Sequence, residues 1–223
     1  MNFMQFLKSL DDLLYEIITW LVFYPVTLWR TIRRPFAMMA YADSELEDAA
    51  EQQYPDVLSP PLFLLLTLLL SHTIELALVG QSDLIAEKRG LAGLISDDTS
   101  LLLVRLLFFA VFPLIMSVAL LRRRRDKLTR DSLKPLFYAQ CYPAGVFALV
   151  LGVGSLATQM HGNPLFRIAG LWILLAAFLW YGTLQTFWFV RMLGTSRLRG
   201  FGIATMTMLE SLLVFVLLAA LLA

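Results

Sequence analysis

Residues 59–80, SPPLFLLLTLLLSHTIELALVG, restrict the possible folds of this chain more than any other stretch. Within them, 62–79 form an 18-residue run whose only formally charged side chain is Glu75. A helix rises about 1.5 Å per residue, so such a run covers roughly 27 Å, close to the hydrocarbon thickness of a bilayer. Pro60 and Pro61 suit the first turn, where backbone N–H groups have no helical partner. His72 and Glu75 stand three residues apart and share one face. The run is apolar enough for lipid, and one side of it carries polar chemistry.

Hydrophobic residues make up 59% of the chain and charged residues 16%, far from the soluble average. The excess lies in separate blocks, which favours several spans over one large core. Further runs at 101–121, 136–158, 165–190 and 203–222 bring the predicted spans to five. The expected fold class is all-α: a polytopic membrane domain over 59–223, preceded by an N-terminal segment over 1–58. The opening, MNFMQFLKSLDD, is not a secretory signal: it has a single lysine and no small-residue cleavage site after a compact apolar run.

That N-terminal segment has its own pattern. Phe3, Leu7, Leu10, Leu14, Ile17 and Leu21 recur at steps of four and three, with Gln5, Lys8, Ser9, Asp12, Glu16 and Thr19 opposite. This predicts an amphipathic helix over 3–23, lying in the membrane interface. A span over 13–29 is the alternative, although Glu16 and Pro25 make it marginal. Residues 43–59 hold the acids Asp43, Glu45, Glu47, Asp48, Glu51 and Asp56 and no base. Ser44 and Glu47 have capping-box spacing, predicting a short helix over 44–53 that Pro55 ends. The patch Asp43, Glu45, Glu47, Asp48 and Glu51 is then either a solvated linker or a docking surface for a basic partner.

Lysine and arginine counts set the orientation. The N-terminal segment and the loops at 122–134 and 191–202 hold fourteen between them, while 81–98 holds two and 159–164 none. By the positive-inside bias the N-terminus is cytoplasmic and the C-terminus lies across the membrane.

Ionisable groups inside spans mark function or buried pairing, and here they are His72, Glu75, Arg105 and Glu210. Glu75 lies four residues before the end of the first span and Arg105 four residues after the start of the second. A structural ion pair is the simplest expectation, a gating or substrate-facing role the alternative. Glu210 lies near mid-membrane and is expected to be neutral and hydrogen-bonded to a neighbouring helix; a proton relay with His72 is the other reading. His72 and Glu75 fall short of the three or four ligands a metal needs, and His161 sits in a distant turn, so no metal site is expected. Ala144, Ala148 and Gly152 form a row of small residues suited to close helix packing, within the chain or across a dimer. Gln140, Pro143 and Gln185 suggest a shallow polar cavity on the cytoplasmic side. Trp172, Trp180, Trp188 and Tyr181 suit packing or interface anchoring.

Other classes are excluded or weakened. A net charge of +1 without a basic domain gives no pull toward nucleic acid. The lone Cys141 rules out an internal disulfide or a cysteine cluster. No HExxH, GxSxG or GxxxxGK[ST] motif occurs, so neither an enzyme nor a cofactor is expected.

A long cytoplasmic N-terminus, five closely spaced spans and a C-terminus stopping almost with the last span resemble the Ypt-interacting protein (Yip) family, particularly its small bacterial members. The best local stretch is LFRIAGLWILLAAFLWYGTLQTFWFVRMLGTSRLRGFGIATMTMLESLLVFVLLAALLA, residues 165–223. In that family a span containing LW and small residues precedes a short basic turn and a final apolar helix. The DLYGP-like signature of eukaryotic members is absent, so their role with small GTPases is not implied and no residue is transferred. Together with the tetra-arginine loop, the resemblance implies a bacterial inner-membrane protein. The leading functional expectation is a non-enzymatic organiser or scaffold, embedded in lipid, with a protein partner on the cytoplasmic side and a possible homo-oligomeric state. The alternative is a small oligomeric permease or channel with a polar path around His72, Glu75, Arg105 and Glu210.

Overall fold

Prolines and a cap open four of the seven α-helices among the described residues. Pro35, Pro60 and Pro164 each open a helix, where a missing N–H costs nothing. Thr129 opens another through a capping box: its hydroxyl accepts from the Ser132 N–H at 3.1 Å, and the Ser132 hydroxyl accepts from the Thr129 N–H at 3.0 Å. The computed structural model describes residues 3–49, 52–79, 98–160 and 164–222. Its helices are α1 (Phe3–Arg33), α2 (Pro35–Ser44), α3 (Pro60–Val79), α4 (Asp98–Arg124), α5 (Arg130–Gln159), α6 (Pro164–Leu193) and α7 (Arg197–Leu222), with one 3-10 turn at Glu45–Glu47. No strand occurs among the described residues. Five helices, α3 to α7, are long and apolar enough to cross a membrane, and the chain is an all-α polytopic membrane protein.

Helix α5 is the axis of the bundle. In its membrane-length stretch 56% of the residues are buried, against 17% in the corresponding stretches of α6 and α7. It packs on α3, α4, α6 and α2. Small residues make those approaches possible. Ala144 and Ala148 lie buried against Leu64 and Leu68 of α3, and a side chain at Gly152 would run into Ser71 of the same helix. The row of Ala144, Ala148 and Gly152 therefore faces α3 within the chain. On the opposite side, a Cβ at Gly170 of α6 would sit 2.7 Å from the Gly154 carbonyl oxygen and 2.7 Å from the Thr158 nitrogen of α5. Aromatic rings fill the remaining centre: Phe147 stacks on Tyr181 at 4.5 Å, and Phe112 meets Phe147 edge-on at 5.6 Å. Phe215 of α7 closes on Phe108 of α4 at 5.1 Å.

Two N-terminal expectations need correction. The first helix does not stop at residue 23 but continues through Pro25 to Arg33. A proline removes only one ladder bond, and Thr27 and Thr31 reinforce the turns beyond it by donating to the carbonyls of Phe23 and Thr27. From about Trp20 onward α1 also gains a core, because Trp20, Phe23, Tyr24 and Leu28 pack against the bundle. The second correction concerns the acidic helix over 44–53. Ser44 is instead the last residue of α2, its hydroxyl donating back to the Tyr41 carbonyl at 3.0 Å. Helix α2 starts nine residues earlier at Pro35 and buries Met38, Met39 and Ala42, so apolar burial beyond an N1 proline outweighs the local Ser/Glu spacing.

Candidate functional site

Two polar assemblies stand out, one inside the bundle and one at its N-terminal edge. The inner one joins α5 and α6. Gln140 and Gln185 are fully buried and bond reciprocally, Gln140 Nε2 donating to Gln185 Oε1 at 3.0 Å and Gln185 Nε2 to Gln140 Oε1 at 2.6 Å. The sequence suggested that these residues, with Pro143, line a shallow cavity; they close on each other instead, and Pro143 is buried in α5. Nearby, the Tyr142 hydroxyl donates to the Leu58 carbonyl at 2.8 Å, and the Leu58 N–H donates to the Thr27 hydroxyl at 3.0 Å. The Tyr24 hydroxyl donates to Thr67 of α3 at 3.2 Å. Through these bonds the chain entering α3 is pinned to both α1 and α5.

The outer assembly organises the acidic segment. Arg30, in the last turn of α1, pairs with Asp56 at 2.5 Å, and the Tyr41 hydroxyl donates to the other Asp56 oxygen at 2.8 Å. Glu45 accepts from the Tyr54 N–H at 2.5 Å, and the Tyr54 hydroxyl donates to the Ala42 carbonyl at 3.0 Å. Tyr54 has φ +57°, a left-handed conformation that a bulky residue adopts only when its surroundings hold it there. Its ring meets Tyr41 edge-on at 6.1 Å. The guanidinium of Arg30 holds the Asp56 carboxyl below its usual range. Burial, then the hydrogen bond to Asp56, pushes the Tyr41 phenol well above the usual range.

Two of the six acids, Asp56 and Glu45, thus fasten the segment. Asp43, Glu47 and Asp48 are exposed, and Glu51 lies outside the described residues. The fastening pairs escaped sequence reasoning because Arg30 and Asp56 are 26 residues apart, with no periodic signal linking them.

The intramembrane charges stand on three helices, α3, α4 and α7. His72 is buried on α3 and Glu75 is half-buried one turn later. Arg105 belongs to α4, but its side chain, like His161, lies outside the described residues. Glu210 corrects an expectation: it is exposed on α7 and accepts no hydrogen bond from a neighbouring helix among the described residues. Trp188 and Tyr181 are core residues, whereas Trp172 is 65% exposed on α6, as an interface anchor would be. A groove of about 480 Å³ runs between α6 and α7, lined mainly by Leu179, Gly182, Thr183, Thr205 and Met208. No group of three or more metal-ligating side chains comes together among the described residues.

No protein-family model, curated protein or solved structure matches this chain.

Proposed function

We propose that this chain is a non-enzymatic organiser of a bacterial inner membrane, with a cytoplasmic N-terminus and a periplasmic C-terminus, that recruits a basic protein partner through its acidic segment. The observation that carries this reading is the fastening of that segment. Asp56 and Glu45 are held by Arg30, Tyr41 and the Tyr54 N–H, which leaves Asp43, Glu47 and Asp48 exposed at the edge of the bundle. A surface ordered before its partner arrives avoids much of the entropic cost of binding. The surplus of lysine and arginine in alternate connections supports the orientation. The five-span topology is that of the Yip-like proteins the C-terminal stretch resembles. The closed Gln140–Gln185 pair weighs against a polar path between α5 and α6.

The test is in-membrane photocrosslinking from Ala49. The variant D43N/E47Q/D48N is expected to reach the membrane at unchanged levels while losing the crosslinked partner. Crosslinks that survive charge removal unchanged would sink the recruitment reading.

A further inference from the structure

Trp29, Arg30, Arg33, Arg34, Ala37, Met38 and Tyr41 lie at helical spacings of three and four, so they continue a single face from α1 into α2. The helix breaks only at Arg34, whose φ of −137° and ψ of 59° leave the helical region, as a residue before proline tends to do. The ladder persists on both sides, with the Arg34 N–H donating to the Arg30 carbonyl at 2.8 Å and the Met38 N–H to the Arg34 carbonyl at 3.0 Å. The axis therefore turns while the face is kept. These same seven residues line a cleft of about 500 Å³ on it.

The charge in this cleft is one-sided. Arg30 is paired with Asp56. Arg33 and Arg34 are exposed and have no carboxylate within ion-pair distance among the described residues. Arg33 lies 4.4 Å over the Trp29 ring. Stacking fixes the plane of a guanidinium and leaves its in-plane N–H donors free, the arrangement that suits a bidentate phosphate contact.

The surface beside the cleft is apolar. Leu14, Ile17, Ile18, Leu21 and Val22 of α1 are all exposed, and Trp29 and Ile32 extend the apolar surface to the cleft at 58% and 46% exposure. A ligand matched to both halves is anionic at one end and hydrocarbon at the other. We propose that the cleft binds the phosphate headgroup of an anionic phospholipid, with its acyl chains along the exposed flank of α1. An acidic peptide would satisfy the arginines but leave that flank bare, and the cleft is far larger than a free phosphate. The proposal is independent of partner recruitment through the acidic segment.

The test uses the full chain in mild detergent, with retained lipid counted by native mass spectrometry after adding phosphatidylglycerol or phosphatidylcholine. Phosphatidylglycerol is expected to be retained preferentially. R33Q/R34Q is expected to lower its apparent affinity about tenfold or more, since each basic side chain near an anionic headgroup contributes appreciably. R122Q/R123Q removes the same charge from the exposed α4 end and is expected to change little. A37W fills the cleft without altering charge and is expected to lower retention as well, which covers the case of a poorly folding arginine variant. Equal losses in the two arginine pairs, or full retention in A37W, would overturn the site. Displacement by millimolar inorganic phosphate, or by polyglutamate, would replace the lipid with a free anion or an acidic peptide and overturn it too.

Discussion

The α3–α7 bundle and the N-terminal arm of α1, α2 and the acidic segment satisfy their polar groups in opposite ways. In the bundle, Gln140 and Gln185 pair with each other in a fully buried site, and glycines bring α6 onto the backbone of α5 and make room on α5 for the Phe63 and Ser71 side chains of α3. In the arm, the fastening pair Arg30–Asp56 is about half exposed, at 44% and 51%. Neutral amides in a dry interior respond to neither salt nor pH, whereas an exposed ion pair is weakened by both. The bundle is held by fit, and in the arm apolar burial holds α1 and α2 while charge fastens the acidic segment. The region that salt or pH can loosen without unfolding the protein is therefore the acidic segment.

The contrast is broken most forcefully at Gly170. A side chain there meets backbone atoms of Gly154 and Thr158 that cannot move aside, so Gly170→Leu is expected to cost about 3 kcal/mol or more. Thermal unfolding in detergent should show a larger drop in melting temperature for Gly170→Leu than for any change to the amide pair or the arm. Next comes the amide pair. Gln140→Leu leaves Gln185 buried without its partner, an expected loss of about 1–2 kcal/mol, and Gln140→Leu/Gln185→Leu should recover part of it. A double variant no better than the single would mean that the pair does not act as a unit.

The arm gives smaller, condition-dependent effects. Arg30→Gln is expected to cost less than about 1 kcal/mol, because both partners of the ion pair are half in water. Its pH response is the sharper measurement. The lowered Asp56 pKa contributes stability above the ordinary carboxylate value of about 3.9, and that contribution fades as pH falls through the lower folded value. The raised Tyr41 pKa contributes stability below the ordinary phenol value of about 10, lost as pH rises through the higher folded value. Spin labels at Ala49 and Lys127 should therefore report a narrow distance distribution between about pH 4 and pH 10 that broadens at either end. Broadening in the middle of that window would show that other groups govern the arm. The smallest effect is expected at Arg125, which ends α4 with φ +61° while the Asp126 N–H donates to the Leu121 carbonyl. Glycine suits that position better, so Arg125→Gly is expected to stabilise by about 0.5–1 kcal/mol.

The bundle was the more legible region in the sequence. Apolar length is a one-dimensional property, so residues 62–79 and the four later runs announce their helices directly, with proline or a threonine cap at several of the starts. The arm was misread where a local signal competed with a burial the sequence does not display: Ser44 and Glu47 have capping-box spacing, but the apolar face of α2 decides the helix. Charges that meet across long separations, such as Arg30 and Asp56, leave no periodic trace. The depth of Glu210 within its span was readable, but its direction was not, because α7 is apolar nearly all round and gives no face to orient by.

The reciprocal Gln140–Gln185 bonds also have a mechanical meaning. Two amides joined head to tail in both senses tolerate neither sliding by a turn nor rotation about the helix axis, since either movement breaks both bonds at once in a medium that offers no replacement. With Gly170 seated on the α5 backbone toward the other end, α5 and α6 are pinned at two separate levels and move as one rigid body. Any rearrangement of this protein must therefore carry α5 and α6 together, along with the α2 residues Met38, Met39 and Ala42 that are buried against them.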